Sequence, residues 1–209
     1  MPTTTDDQPD APAPTRRRAL LITLFSISAV VLVLDQVSKA WAISSLVEGV
    51  RRELVGDLLG LQLVFNPGAA LSIATGMTWV LTIVAAVVIV VVVRASRRIG
   101  SRAWAVALGL LLGGALGNLV DRLVRDPGIA RGHVVDFIAY ADWFVGNVAD
   151  IAIVSAAILI VILAGRGVHL DGSREARDEP DPDAEAQVEP PSEQDGAHQA
   201  APTATERNA

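Results

Sequence analysis

The sequence predicts an all-α membrane protein with four transmembrane helices, a small extracytoplasmic β-rich loop and disordered cytoplasmic tails. Three observations carry that class. Hydrophobic residues fill 51% of the 209 positions and mean hydropathy is +0.43, too apolar for an ordinary water-soluble domain. Four apolar runs each approach the ~20 residues needed to cross the hydrocarbon layer. Charge is also segregated: residues 171–209 hold 11 acidic and 3 basic side chains, whereas the 170 before them hold 12 acidic and 14 basic.

Residues 1–15 are rich in Pro, Thr and Asp and read as a disordered leader. Arg16-Arg17-Arg18 then precedes an apolar run, in the manner of the charged region of a signal peptide. The run from Ala19 to Ile43 exceeds the roughly 7–15 apolar residues of such a peptide, and no convincing cleavage site follows. It is expected to remain as the first transmembrane helix, at about 19–43. The first external loop, Ser44 to Ser72, carries short apolar runs, Glu53-Leu54-Val55 and Leu58 to Val64, flanked by glycines. These predict short strands lying on the membrane surface. The second span, about 73–93, is rich in Val and Ile; such runs also suit buried strands, but four at this length favour helices in lipid. The third, about 103–123, offers Gly109, Gly113, Gly114 and Gly117 as a small-residue surface for close packing. The fourth, about 145–164, carries Asn147 and Asp150 in its first turns, with Asp150 about one and a half turns in. From Gly167 the chain is dominated by Pro, Glu, Asp and Ala, with too little apolar surface to fold. The organisation is a leader (1–15), a four-helix domain (16–166) and an acidic tail (167–209).

Lys and Arg near the span ends set the orientation. With the N-terminus inside, Arg16, Arg17, Arg18, Arg94, Arg97, Arg98, Arg102 and Arg166 are cytoplasmic, against Arg51, Arg52, Arg125 and Arg131 outside. Both termini are therefore expected in the cytoplasm. Trp41, Trp79, Trp104 and Trp143 all fall at predicted span ends, as an interfacial aromatic belt requires. No basic stripe with interleaved aromatics marks a nucleic-acid partner. The chain has no cysteine, which excludes disulfides, a thiolate nucleophile and Cys-bound zinc.

Polar residues in or beside the spans need a reason, because a charged side chain at the bilayer centre costs roughly 2.5–3.5 kcal/mol even on insertion scales. Asp35 and Lys39 lie four apart and share a helix face; the bland reading is a mutually neutralising pair with Lys39 reaching out towards the interface. Asn66-Pro67-Gly68-Ala69-Ala70 makes a turn before the second span. Asn118, Asp121 and Arg122 cluster near the outer end of the third, where Arg122 either supports a nearby carboxylate or anchors the helix at the interface. Asp136 stands in the apolar string Val134-Val135-Asp136-Phe137, and Asp150 shares a face with Asn147. An aspartate near a helix start is often only a cap, a role better suited to Asp142 beside Trp143. His133 is a loop histidine without a second His nearby, which disfavours a metal site.

Taken in order, five motifs resemble the lipoprotein signal peptidase (signal peptidase II) family of membrane aspartyl proteases. They are Asp35-Gln36-Val37-Ser38-Lys39, Asn66-Pro67-Gly68-Ala69-Ala70, Gly113-Gly114-Ala115-Leu116-Gly117-Asn118-Leu119-Val120-Asp121-Arg122, Gly132-His133-Val134-Val135-Asp136-Phe137 and Asn147-Val148-Ala149-Asp150. Any one is weak; five in the family's order, over roughly residues 16–166, are specific. Leu71 and Gly146 depart from the pattern, each standing where Phe is frequent. The resemblance implies a multi-pass protein of the bacterial cytoplasmic membrane, with its site at the extracytoplasmic face. Its substrates would be diacylglyceryl-modified prolipoproteins, cleaved just before the lipidated Cys. It implies Asp136 and Asp150 as the catalytic pair, and Asn66, Gly114, Asn118, Arg122 and Asn147 as substrate-binding or supporting residues. Asp35, Lys39 and Asp121 would be structural near the site. No metal or cofactor is implied, and membrane lipids are the other expected partner of a monomer.

Two carboxylates within a few ångströms share a proton and titrate as a pair, which suits activation of a water for peptide hydrolysis. The main rival is a small proton-coupled transporter or channel subunit, with the same Asp, Arg and Asn residues forming a relay. A non-enzymatic assembly protein with structural ion pairs is a further alternative. A rhomboid-type serine protease is disfavoured, since no Ser with a His partner occurs within the spans.

Overall fold

A computed structural model describes residues 14–68 and 78–174. Four helices alternate in direction: α1 (Pro14–Ser45), α2 (Thr78–Ala95), α3 (Arg102–Val124) and α4 (Val148–Gly165). Each is long and apolar enough to cross a membrane. α1 begins earlier than expected and takes in Arg16-Arg17-Arg18. Proline suits its first position, where the absent N–H has no intrahelical partner. The expected start of the second span, 73–77, lies outside the described residues, as do most of the leader and the tail beyond Arg174.

α3 is the organising helix and packs against each of the other three. Between helices in lipid there is little hydrophobic driving force, so close van der Waals approach decides the packing. Glycines provide it. A Cβ on Gly109 or Gly113 would fall 2.8 Å from the carbonyl oxygen of Leu24 or Ser28 in α1, and one on Gly117 would fall 2.5 Å from Asp35 Oδ2. Gly114 faces the other way, where a Cβ would meet the Ala149 carbonyl of α4 at 2.6 Å. The small-residue surface read from the sequence thus has two sides, one for each neighbour. Outward-facing Ile22, Val30, Val33, Val87, Val90, Val154 and Val161 are exposed, as lipid contact requires.

At the end of the bundle where α1 and α3 terminate lies a four-stranded antiparallel meander: β1 (Arg52–Val55), β2 (Leu59–Asn66), β3 (Val134–Tyr140) and β4 (Phe144–Gly146). β1 and β2 overlap the expected runs of the first loop, and β2 extends through Phe65 and Asn66, the latter expected in the turn. β3 and β4 were not expected; Val, Phe, Ile and Tyr at 134–140 make a strand, and Ala141 at φ 46° turns the chain into β4. Val145 and Gly146, placed by the sequence reading in the fourth span, belong instead to β4. One face of the sheet packs on the end of α1 through Leu63, Val135 and Phe137 against Ala42 and Leu46. Trp41 meets Phe137 edge to face, with centroids 6.3 Å apart. Trp143 sits in the β3–β4 turn, 81% exposed, and not on a helix end.

At the opposite end, the chain after α4 does not fall into disorder at Gly167 as expected. Residues 167–174 fold back as a turn, Val168 bridging Arg174, and dock beside the start of α3. Trp104 Nε1 donates to the Val168 carbonyl at 2.8 Å and Gly100 N to that of Leu170 at 2.9 Å. Leu170 packs on the Leu20, Leu24, Ile99 and Leu108 cluster, which gives this short stretch the apolar anchor its composition hid.

Candidate active site

Asp136 and Asp150 arrive from different elements. Asp136 is in β3, and the register with β2 sets Val64 opposite it and Asn66 opposite Val134. Alternate strand residues share a face, so Asn66 reaches Asp136 diagonally. Its Nδ2 donates to Asp136 Oδ2 at 2.8 Å.

Asp150 is placed by the start of α4. Asn147 is the N-cap, and its side-chain oxygen accepts the Asp150 N–H at 3.0 Å; Asp150 Oδ2 in return accepts the Asn147 N–H at 3.1 Å. This reciprocal capping box satisfies two orphan donors of the helix and sets Asp150 in the first turn, not one and a half turns in. The capping role assigned to Asp142 is therefore misplaced: its side chain is 98% exposed and pairs with Arg51 at 3.1 Å. Asp150 is both cap member and candidate site residue.

Asn147 also joins the two acids. Its Nδ2 donates to Asp136 Oδ1 at 2.6 Å, while Asn118 Nδ2 donates to Asp150 Oδ1 at 2.9 Å. Asp136 is only 3% exposed, and burial pushes its carboxyl up to about 7; the Asn66 hydrogen bond opposes this and the Asp150 charge adds to it. At neutral pH this carboxyl can hold a proton.

Behind the pair lies a buried charge network. Lys39 is fully buried and does not reach the interface as the sequence reading held. Its ammonium stands 2.8 Å from both Asp35 Oδ2 and Asp121 Oδ2. Asp121 also pairs with Arg125 at 2.7 Å and accepts the Val135 N–H of β3, while Asp35 accepts the Ala149 N–H of α4 at 2.9 Å. Two positive and two negative charges therefore tie α1 and α3 to the strand and the helix that carry the catalytic candidates. Gln36 adds bonds to Asp35 and to the Gly117 carbonyl. Neither Gln36 nor Arg125 was expected to take part in this network. The four-residue spacing of Asp121 and Arg125 is the signal that would have found the latter.

Arg122 donates to the Asn118 carbonyl at 3.1 Å, and its charge acts on Asp150 and Asp136. Its Nε is buried without a partner among the described residues. With Asn118 it lines a groove of about 260 Å³ between α2, α3 and α4, walled by Leu81, Val84, Val88 and Leu111. Gly114 lies at the α3–α4 contact one turn from Asn118, so its part is to let α4 approach.

This arrangement has counterparts. The family model for signal peptidase (SPase) II matches residues 27–165. The chain belongs to the signal peptidase II family. A lipoprotein signal peptidase of Rhodococcus jostii is 51% identical over 173 residues, covering 81% of this chain and 86% of its own length. One from Mycobacterium tuberculosis is 49% identical over 164 residues, 78% of this chain and 80% of its own. A bacterial membrane enzyme solved at 2.3 Å superposes with a TM-score of 0.62 at 27% identity, over 74% of this chain and 94% of the other. A second, solved at 1.9 Å, gives 0.59 at 29% identity, over 68% and 92%. Membership makes the chain a multi-pass membrane protein and a hydrolase of peptide bonds that acts as a lipoprotein signal peptidase; the transporter alternative has no support. Of the two departures from the signal peptidase II pattern, Leu71 lies outside the described residues, together with Ala69 and Ala70 of the second motif. Gly146 stands beside the site: a Cβ there would lie 3.2 Å from Asp150 Oδ2.

Proposed function

We propose that Asp136 and Asp150 are the catalytic dyad that removes signal peptides from prolipoproteins whose Cys already carries diacylglycerol. The observation that carries this reading is the Asn147 side chain, bonded at once to the Asp136 carboxylate and to the Asp150 backbone.

Asp136 holds the shared proton, since burial raises its carboxyl to about 7. Asp150, with both oxygens accepting N–H donors, takes a proton from water as that water attacks the scissile carbonyl. Asp136 donates a hydrogen bond to the carbonyl oxygen, where negative charge develops. The tetrahedral intermediate then breaks at the C–N bond, the leaving amine of the lipidated Cys takes up the Asp136 proton, and the proton that Asp150 drew from water stays on the pair, which is thereby restored. Asn66 and Asn147 hold Asp136 in place. Arg122, whose Nε has no partner among the described residues, and Asn118 hold the substrate backbone, and the apolar groove beside them accepts the signal peptide and acyl chains. No step needs a metal or cofactor.

The site lies at the end of the bundle away from the arginine-rich face, and the excess of Lys and Arg at that other face supports an extracytoplasmic site with both termini in the cytoplasm. There water reaches the dyad while the lipid chains stay in the bilayer. A single monomer, domain 16–166, carries every residue named. The test is cleavage of one diacylglyceryl-modified precursor by purified protein, with its unlipidated form as control. Cleavage of both at equal rates would remove the lipid requirement; cleavage of neither would remove the activity.

A further inference from the structure

Asn118 stands between Lys39 and Asp150, and the chemistry of Lys39 fixes which way its amide points. An ammonium has three N–H donors and no acceptor. Two of those donors meet Asp35 and Asp121; the third meets Asn118 Oδ1 at 3.1 Å. The Asn118 nitrogen is thereby left facing Asp150 Oδ1 at 2.9 Å. The flipped amide would set N–H against ammonium on one side and oxygen against carboxylate on the other. Asn147 Nδ2 also approaches Asn118 Oδ1, but at 3.3 Å, because that nitrogen is committed to Asp136 at 2.6 Å. Lys39 is the stronger determinant.

We propose that Lys39 is a positioning residue for the hydrolytic step, acting through Asn118 to hold the Asp150 carboxylate in its reactive orientation. This rests on the dyad reading above. The third N–H, directed at Asn118, is the feature that links the buried network to the chemistry.

The test compares full-length Asp35→Asn with the Asp35→Asn/Lys39→Met double variant. In the double variant Asp121 keeps Arg125, so no buried charge is left alone. Inserted, folded protein is quantified by size exclusion and thermal unfolding, and kcat and KM are measured on a lipidated precursor. The double variant is expected to lose about 10- to 100-fold in kcat relative to Asp35→Asn, the size of one hydrogen bond to a charged group, with KM little changed. Lys39→Arg, also a donor without an acceptor, is expected to keep most of kcat. Asp35→Asn/Lys39→Gln, whose new amide can present either atom to Asn118, is expected to lose it, and serves if the first double variant does not fold. Folded protein with unaltered kcat in either double variant, or an equal loss in Lys39→Arg, overturns the proposal. Asp150→Asn run in parallel separates the two ideas: activity there removes the dyad, whereas an inactive Asp150→Asn beside fully active Lys39 variants removes only this inference.

Discussion

Asn147 Nδ2 lies 2.6 Å from Asp136 Oδ1, so the cap of α4 is bonded directly to a carboxylate of β3. One side chain thus sets the start of a membrane helix and the distance between two acids. Asn147 has no exposed surface, and its oxygen is already committed to the helix, which leaves its nitrogen no freedom to turn away. Replacing it by Asp should keep the cap but set a third carboxylate against Asp136. Processing is expected to fall by about 100-fold or more, with insertion retained; activity within a few-fold of the parent would show that the bridge is dispensable.

Asp136→Asn and Asp150→Asn should each give inserted protein that processes a lipidated precursor about 10²–10⁴-fold more slowly. Asp150→Asn carries an additional cost, because it removes a negative charge from the first turn of α4, where its oxygen accepts the Asn147 N–H, worth about 0.3–1 kcal/mol. Its thermal midpoint should drop more than that of Asp136→Asn.

The rate should fall as pH rises through about 7, where Asp136 loses its proton. Asn66→Ala removes a hydrogen bond that favours the carboxylate, so this limb should move to higher pH, whatever the variant does to KM. Stability follows the same sign. The folded state binds the Asp136 proton more tightly than the unfolded chain does, so its contribution is fully present below pH about 4 and is lost as pH rises through about 7. A pH series of rates and melting curves checks both.

Gly114→Ala should push α4 away at Ala149, one residue before Asp150. Overpacking of this kind costs about 1–3 kcal/mol, and a displacement of about 1 Å at the dyad can cost 10²-fold in rate. The expected signature is a larger fall in kcat than in melting temperature.

Gly100→Ala should behave in the opposite way. Its Cβ would collide with the backbone carbonyl of Asp171, so the 167–174 turn must detach. Trypsin cleavage at Arg166 or Arg174 should accelerate while precursor processing is unchanged, because the turn follows the end of α4 and Asp150 lies at its start. Truncation after Arg174 is likewise expected to leave processing intact.

The four helices were legible because length and apolarity alone specify a membrane span. The acids were legible because a carboxylate in such a context is costly and needs a partner. What escaped the sequence was decided by tertiary neighbours. Val134–Tyr140 has the composition of a strand, but only β2 beside it says that it pairs. Lys39 has the stem to reach water, and it stays buried because Asp121, 82 residues away, meets it. Gly167–Arg174 reads as tail until Leu170 finds the α1–α3 core.

The buried network also bears on how the chain enters the bilayer. Asp35 and Lys39 sit four residues apart on α1, and Asp121 near the end of α3 sits four residues before Arg125, the C-cap of that helix. Asp35 and Asp121 can therefore each enter the bilayer with a counter-ion from their own stretch of chain before the two helices meet. The exchange that lets Lys39 reach Asp121 happens only once the two helices meet. Asp35, Lys39 and Asp121 therefore need no partner from a distant helix on entering the bilayer, whereas Arg122 on α3 and Asp150 on α4 meet each other's charge only in the assembled bundle.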